Sequence, residues 1–244
     1  PYTTLFRSTY LSKNNLKENT LVWYCGDNGT PPSAARTGMT LREQKGSLYE
    51  GGIRVPGVLE WPAGLNRPAS TSAVSVTSDF LPTLAELTGQ PLPERPIDGI
   101  SLVPFFSEPA KQRTESLCFW KFEQGKVFGD DAEPYIDPKL QEGTTPLVKM
   151  LGGRYTRNFR NLVYNGISEE DFTGERAIMK GHYKLVLEGA SPGETGFELY
   201  DIQNDPGETR NLAGEHPELV DEMKTELHQW QESVLNSLTG EDYQ

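Results

Sequence analysis

Two stretches decide the reading of this chain: Leu21-Val22-Trp23-Tyr24-Cys25-Gly26-Asp27-Asn28-Gly29 and, a little further on, Gln44-Lys45-Gly46-Ser47-Leu48-Tyr49-Glu50-Gly51-Gly52-Ile53-Arg54-Val55-Pro56. Leu21 to Cys25 is a continuous apolar, β-favouring run bounded by Asn19 and Gly26. It predicts a central strand, buried on both faces of a sheet. In open α/β sheets ligands bind beyond the carboxyl ends of strands, which is where Asp27 and Asn28 fall. A carboxylate beside an amide carbonyl, followed by a glycine that permits a sharp turn, suits a hard divalent cation such as Ca²⁺. Such an ion takes about six to eight oxygens, so these residues are part of a site and not the whole of one. Taken alone, Asp-Asn-Gly reads more readily as a simple turn than as a metal site.

The second stretch tips that balance. Lys45 stands in a glycine-dense segment, where backbone approaches a small anion closely and a point-charge ammonium reaches it. Residues 44–56 together resemble the sulfatase pattern G-K-G-S/T-x-Y-E-G-G-I-R-V-P. The resemblance runs on through residues 55–62 (VPGVLEWP) and residues 75–106, which carry the family's D-x-x-P-T-L and D-G-x-S-L-x-P segments. It continues in residues 176–187 (RAIMKGHYKLVL), 198–201 (ELYD) and 204–208 (NDPGE).

Several expectations follow from the resemblance. It implies part of an alkaline-phosphatase-like α/β/α sandwich with a mostly parallel sheet, plus a smaller C-terminal α+β subdomain with an antiparallel sheet and a helix. Asp27 and Asn28 would be metal ligands, with Ca²⁺ as the cofactor. Lys45 would be the catalytic contact to the sulfate oxygens near the leaving group. Glu50, Arg54 and the glycines around them are expected to be structural, Arg54 pairing with Glu50. The substrate would be a sulfated carbohydrate or an aryl sulfate ester, and the location secreted or periplasmic. The key string departs from many relatives in placing Arg42-Glu43-Gln44 before Lys45, and Glu43 is expected to point outward.

The resemblance also implies a formylglycine nucleophile, made from a C/S-x-P-x-R motif, and a pair of aspartates completing the metal site. Neither Cys25 nor Cys118 starts such a motif, and Ser107-Glu108-Pro109-Ala110-Lys111 ends in lysine and lies after the metal strand. These parts are expected upstream of Asp27. Residues 1–8 (PYTTLFRS) read as a translated sequencing adapter fused to a truncated frame, and are set aside from fold reasoning. The divisions expected are therefore residues 9–106, the C-terminal part of the catalytic domain, and residues 107–244, the subdomain.

Alternating elements in the first part predict strands at residues 20–25 and 55–61 and a helix over residues 79–88 closed by Gly89. In the second part, residues 116–122, 176–179, 183–188 and 198–201 predict short antiparallel strands, with a turn at Lys180-Gly181. Leu219, Val220, Met223, Leu227, Trp230, Val234 and Leu238 recur at three- and four-residue steps, predicting an amphipathic helix over about residues 215–238. Its apolar stripe is expected to pack on the small sheet. Residues 119–175 lack periodicity. Trp120, Tyr135, Arg154, Tyr155 and Arg157 are types that would stack on or pair with a sulfated ligand. His182 is a second candidate substrate contact.

Composition sets outer limits. At 244 residues with 35% hydrophobic content, the chain holds enough apolar side chains for a real core. No run approaches the roughly 18 apolar residues of a membrane span. Residues 188–244 carry fourteen acidic side chains against two basic ones, which accounts for the whole net charge of −12 and argues against nucleic acid as a partner there. Two cysteines give no disulfide framework. The sequon Asn28-Gly29-Thr30 is read as chance, because an asparagine bound to metal carries no glycan. Three functions fit the sequence: a sulfuric-ester hydrolase, a phosphate or phosphonate ester hydrolase of the same superfamily, and a non-catalytic binder of sulfated glycans.

Overall fold

In the computed structural model the described residues are 9–31, 40–65, 69–122, 150–151, 154–155, 166–189 and 196–243. The expectations for residues 1–8, Tyr135 and Arg157 lie outside them. Strand β1 (Val22–Cys25) pairs antiparallel with β2 (Gly57–Glu60), Trp23 opposite Leu59 and Tyr24 opposite Val58. This differs from a central strand covered on both sides. One face is covered where Trp23 packs on Phe80, ring centroids 4.1 Å apart. On the other, Tyr24 and Val58 are 58% and 60% exposed. The reason is that β1 has a single hydrogen-bonded neighbour among the described residues, and an apolar run specifies burial without specifying partners.

Between these strands lies the short helix α1 (Glu50–Ile53). A 3₁₀ turn (Thr77–Asp79) then leads into α2 (Phe80–Thr88), which ends as predicted on Gly89 at φ 66°, the left-handed conformation that glycine adopts without steric cost. The polar residues of the D-x-x-P-T-L segment are fasteners. Asp79 is buried; its carboxylate accepts the amides of Val76 and Ile100, both at 2.9 Å, and pairs with Arg113. Thr83 Oγ1 accepts the Leu102 amide at 2.9 Å. Together they staple residues 99–102, which lead into α3 (Val103–Ser107), against α2.

The second part matches its expectation closely. A four-stranded antiparallel sheet has the order β3-β6-β7-β8, made of β3 (Leu117–Trp120), β6 (Arg176–Lys180), β7 (Tyr183–Leu187) and β8 (Phe197–Asp201). Two-residue strands β4 (Met150–Leu151) and β5 (Arg154–Tyr155) form a separate ribbon within the aperiodic stretch. Gly181, at φ 60°, makes the β6–β7 turn. The amphipathic stripe becomes α4 (Pro217–Thr239), with proline in its first turn and Gly240 closing it at φ 82°.

Successive side chains of a strand point to opposite faces, and here both faces are used. Ile178, Leu185, Leu187 and Leu199 meet Val220, Met223 and Leu227 of α4. Ala177, Val186 and Tyr200, on the opposite face, meet Leu48 and Tyr49 of the 44–56 segment. Double coverage explains why β7 shows no apolar–polar alternation. The small sheet is thus the floor on which the key string rests. Trp120 belongs to this packing as well: its indole N–H donates to the Thr173 carbonyl at 2.7 Å and its ring meets Phe122 and Trp230 edge-on. These contacts tie the half-buried Trp120 ring to the packing around α4. Cys118 packs on the α4 side, and burial pushes its thiol up to about 12.

Candidate active site

At the end of β1 the chain is laced to the key string by backbone hydrogen bonds. Gly26 N–H donates to Pro56 O at 3.2 Å, Gly29 N–H to Gly52 O at 2.9 Å and Thr30 N–H to Gly51 O at 2.8 Å. Lys45 N–H donates back to Thr30 O at 2.8 Å. These bonds bring Asp27, Asn28 and Lys45, distant in sequence, to one end of one strand.

The glycines permit the approach. A Cβ at Gly29 would lie 2.3 Å from Gly51 O, one at Gly51 2.2 Å from Glu43 O, and one at Gly52 2.1 Å from Ser47 O. All of these atoms are backbone, so the Gly51-Gly52 pair serves chain-to-chain packing. That is the structural role expected for the glycines around Glu50 and Arg54, whereas a Cβ at Gly46, beside Lys45, would meet nothing within 4 Å. Lys45 and Asp27 are exposed, and Asn28 is half-buried. Asn28 Nδ2 donates to Gly29 O at 2.9 Å, which orients the amide and leaves its carbonyl oxygen as the available donor atom. Glu43 is exposed, as expected, on a backbone with φ of 61°.

As donors, the Asp27 carboxylate and the Asn28 amide oxygen fit a hard cation. Among the described residues no group of three or more His, Cys, Asp or Glu side chains is arranged to hold a metal. His182 sits apart, in the β6–β7 turn. Its ring lies against Tyr183 with centroids 4.2 Å apart, and its Nε2 is 3.9 Å from Asp201 Oδ2. These contacts belong to its own sheet, and none joins it to Lys45.

Beneath the string lie two networks that the sequence reading missed. In the first, the Arg42 guanidinium lies 3.8 Å from the centroid of the Tyr49 ring, donates to Tyr200 Oη, and is 3.2 Å from Glu198. Tyr49 Oη lies 2.8 Å from Glu188 Oε1 and also reaches Glu198. Burial, reinforced by the carboxylates, raises the Tyr49 phenol well above the ordinary range and pushes Tyr200 up to about 12. Both remain neutral donors at physiological pH.

The second network is buried except for Arg54 at its edge. Lys184 Nζ, on the sheet face beneath the string, lies 3.1 Å from Glu50 Oε1 and 2.8 Å from Glu208 Oε1. Glu208 Oε2 accepts the Glu50 amide at 2.7 Å, and Arg54 stands 3.6 Å from the Glu50 carboxylate, as the sequence reading expected. Burial raises the Glu208 carboxyl, opposed by the Lys184 ammonium. A signal was available in the sequence, because Lys184 interrupts the otherwise apolar run Tyr183-Lys184-Leu185-Val186-Leu187. A strand buried on both faces must give such a lysine a carboxylate partner.

The family model described as Sulfatase matches residues 8–90. Human arylsulfatase A is 31% identical over 223 residues, a match that covers 88% of this chain and 38% of that protein. Among solved structures, Ps i-CgsB in complex with k-i-k-neocarrahexaose aligns with a TM-score of 0.64 at 21% identity, over 93% of this chain and 39% of that one. The phosphonate monoester hydrolase of Agrobacterium radiobacter aligns with a TM-score of 0.56 at 20% identity, over 94% and 39%. The architecture is therefore the alkaline-phosphatase-like α/β fold. Within it, the chain belongs to the sulfatase family, and it spans well under half the length of the relatives it matches.

Proposed function

We propose that these residues form one part of the active site of a sulfuric-ester hydrolase. The observation that supports this is the backbone bond from Lys45 N–H to Thr30 O, which joins the loop carrying Lys45 to the turn carrying Asp27 and Asn28 at the end of β1. Sulfate monoesters resist hydrolysis because the anionic centre repels nucleophiles and the leaving oxygen is poor, so fixed charge is the main source of rate. The Lys45 ammonium would stabilise negative charge on the sulfuryl oxygens and on the leaving oxygen. Asp27 and Asn28 would hold the cation, Ca²⁺ by their oxygen chemistry, which when bound supplies Lewis-acid polarisation of the sulfate. The formylglycine implied by the family resemblance is not encoded by any C/S-x-P-x-R segment of this chain, so the nucleophile is assigned to another part of the protein.

A sulfated carbohydrate is the favoured substrate class, supported by a structural neighbour that holds an oligosaccharide; an aryl sulfate is the simpler assay substrate. A secreted or periplasmic location goes with this reading. No helix among the described residues is long and apolar enough to cross a membrane. The likeness to a phosphonate monoester hydrolase favours a second reading, in which the same lysine and cation serve a phosphonate or phosphate ester.

The test is turnover of 4-nitrophenyl sulfate by the protein expressed from its complete reading frame, beside a phosphonate monoester. Lys45→Ala should lose on the order of 10²-fold or more in turnover, as for a single oxyanion donor. Near-normal activity would remove Lys45 from the chemistry. Faster turnover of the phosphonate would move the assignment to the second reading. The 244 residues by themselves should show no sulfate-ester turnover.

A further inference from the structure

We infer that the buried Glu208–Lys184–Glu50 ion network is a positioning device for Lys45, through which the C-terminal sheet holds the key string in register with the Asp27–Thr30 turn. The inference rests on the reading of Lys45 as the sulfate contact.

Lys45 is tied to its immediate surroundings by one backbone bond, from its N–H to Thr30 O. It is exposed, and its neighbours Glu43 and Gly46 have φ of 61° and 95°, as in a loop that changes direction on either side of it. The rest of its placement comes from the two flanks of the loop, and one residue grips both. Glu208 accepts the Glu50 amide with its side chain on the C-terminal flank, and its carbonyl is 3.4 Å from Arg42 Nη1 on the N-terminal flank. Glu208 does this from φ of 52°, the left-handed region that a residue with a side chain seldom occupies. Between the flanks, Gly51 N–H donates to Arg42 O at 2.8 Å and closes the loop on itself. A shift of α1 is therefore passed to Lys45 through short backbone bonds.

Buried ion networks add little net stability compared with apolar packing of the same volume, because desolvation cancels most of the attraction. What they do provide is a single geometry, since a buried charge tolerates few arrangements. Here Glu50 and Glu208 face Lys184 and, at the edge, Arg54, so two carboxylates meet two cations. An apolar contact would let the string slide on the sheet. This network does not.

The test is amide hydrogen exchange on this chain with Glu208→Ala, Glu208→Gln and the control Leu235→Ala, which alters α4 on the opposite face of the sheet. Glu208→Ala should speed exchange at Lys45 and Gly51, and at Gly29 and Thr30, by ~10-fold or more, while β6, β7 and α4 change little. Glu208→Gln keeps an oxygen for the Glu50 amide and should restore most of the protection. Leu235→Ala should leave the loop no worse than the rest. If Glu208→Ala does not fold, the pair Lys184→Met/Glu208→Met, neutral at both positions and without an acceptor for the Glu50 amide, serves in its place with the same expectation. Unchanged exchange in the loop, or a uniform rise across the sheet, would overturn the inference.

A second readout concerns the side chain. Inorganic sulfate should slow acylation of Lys45 Nζ in the wild type and in Leu235→Ala, but not in Glu208→Ala. Sulfate protection that survives in Glu208→Ala would count against positioning. No protection in the wild type, with the exchange pattern as expected, would instead refute sulfate as the ligand and leave the coupling in place.

Discussion

Lys184→Met nearly preserves side-chain length while deleting a charge, which makes it the sharpest probe of the buried network. Lys184 is 0% exposed and its ammonium sits between two carboxylates. Removing it strands Glu50 and Glu208 side by side, with Arg54, more than half exposed and 3.6 Å away, as weak compensation. Breaking a buried ion pair from one side costs about 3–5 kcal/mol, and that is the deficit expected near neutral pH. The protein has one means of relief, which is to protonate a carboxyl. Glu208 is the candidate, because burial already raises it in the wild type and the lysine that opposes the rise is gone.

The direction with pH follows from that. The folded variant would bind a proton at a pH above the ordinary carboxylate value of about 4.3, so folded protein holds more protons than unfolded between the two values and stability falls as pH rises through that window. The deficit relative to wild type should therefore be largest and flat above the raised value, and shrink in acid. Urea unfolding of both proteins at about pH 5 and about pH 8 reads the difference directly. Lys184→Met/Glu208→Gln should recover more than half of the loss. A deficit below about 1 kcal/mol at the higher pH, or an equal one at both, would refute the buried-charge account.

Two further outcomes can be checked on the same chain. Asp79→Ala should cost about 3–5 kcal/mol in urea unfolding, because it leaves the Arg113 charge buried without its carboxylate and two amides without an acceptor. Gly51→Ala should cost about 1–3 kcal/mol and shift the amide resonances of Lys45 and Thr30, since the new methyl would meet the Glu43 carbonyl and backbone has to move; an unperturbed spectrum would contradict the close approach.

The C-terminal half was legible because its signals are periodic and local. The stripe from Leu219 to Leu238 could only be a helix with one apolar face, and the short runs around Gly181 could only be strands joined by a tight turn. The pairing of β1 was not legible. Val22 to Cys25 announce burial, but no property of a single strand says whether its neighbour runs parallel or antiparallel. At the site, Asp27, Asn28 and Lys45 were found through the string they belong to. The support beneath was missed because its members are 134 and 158 residues apart and meet only in three dimensions. Glu208 in particular looks like one more acid in an acidic stretch.

The shared face of the small sheet has a mechanical consequence. Leu48 and Tyr49, from the first half of the sequence, are buried against Ala177, Val186 and Tyr200 from the second. A cut near residue 110, in the exposed stretch after α3, would part the covalent chain at its surface yet tear a hydrophobic core in two, exposing greasy surface on both pieces. Such halves should behave as sticky, poorly soluble polypeptides, and the intact chain should melt in one step, both halves giving way together.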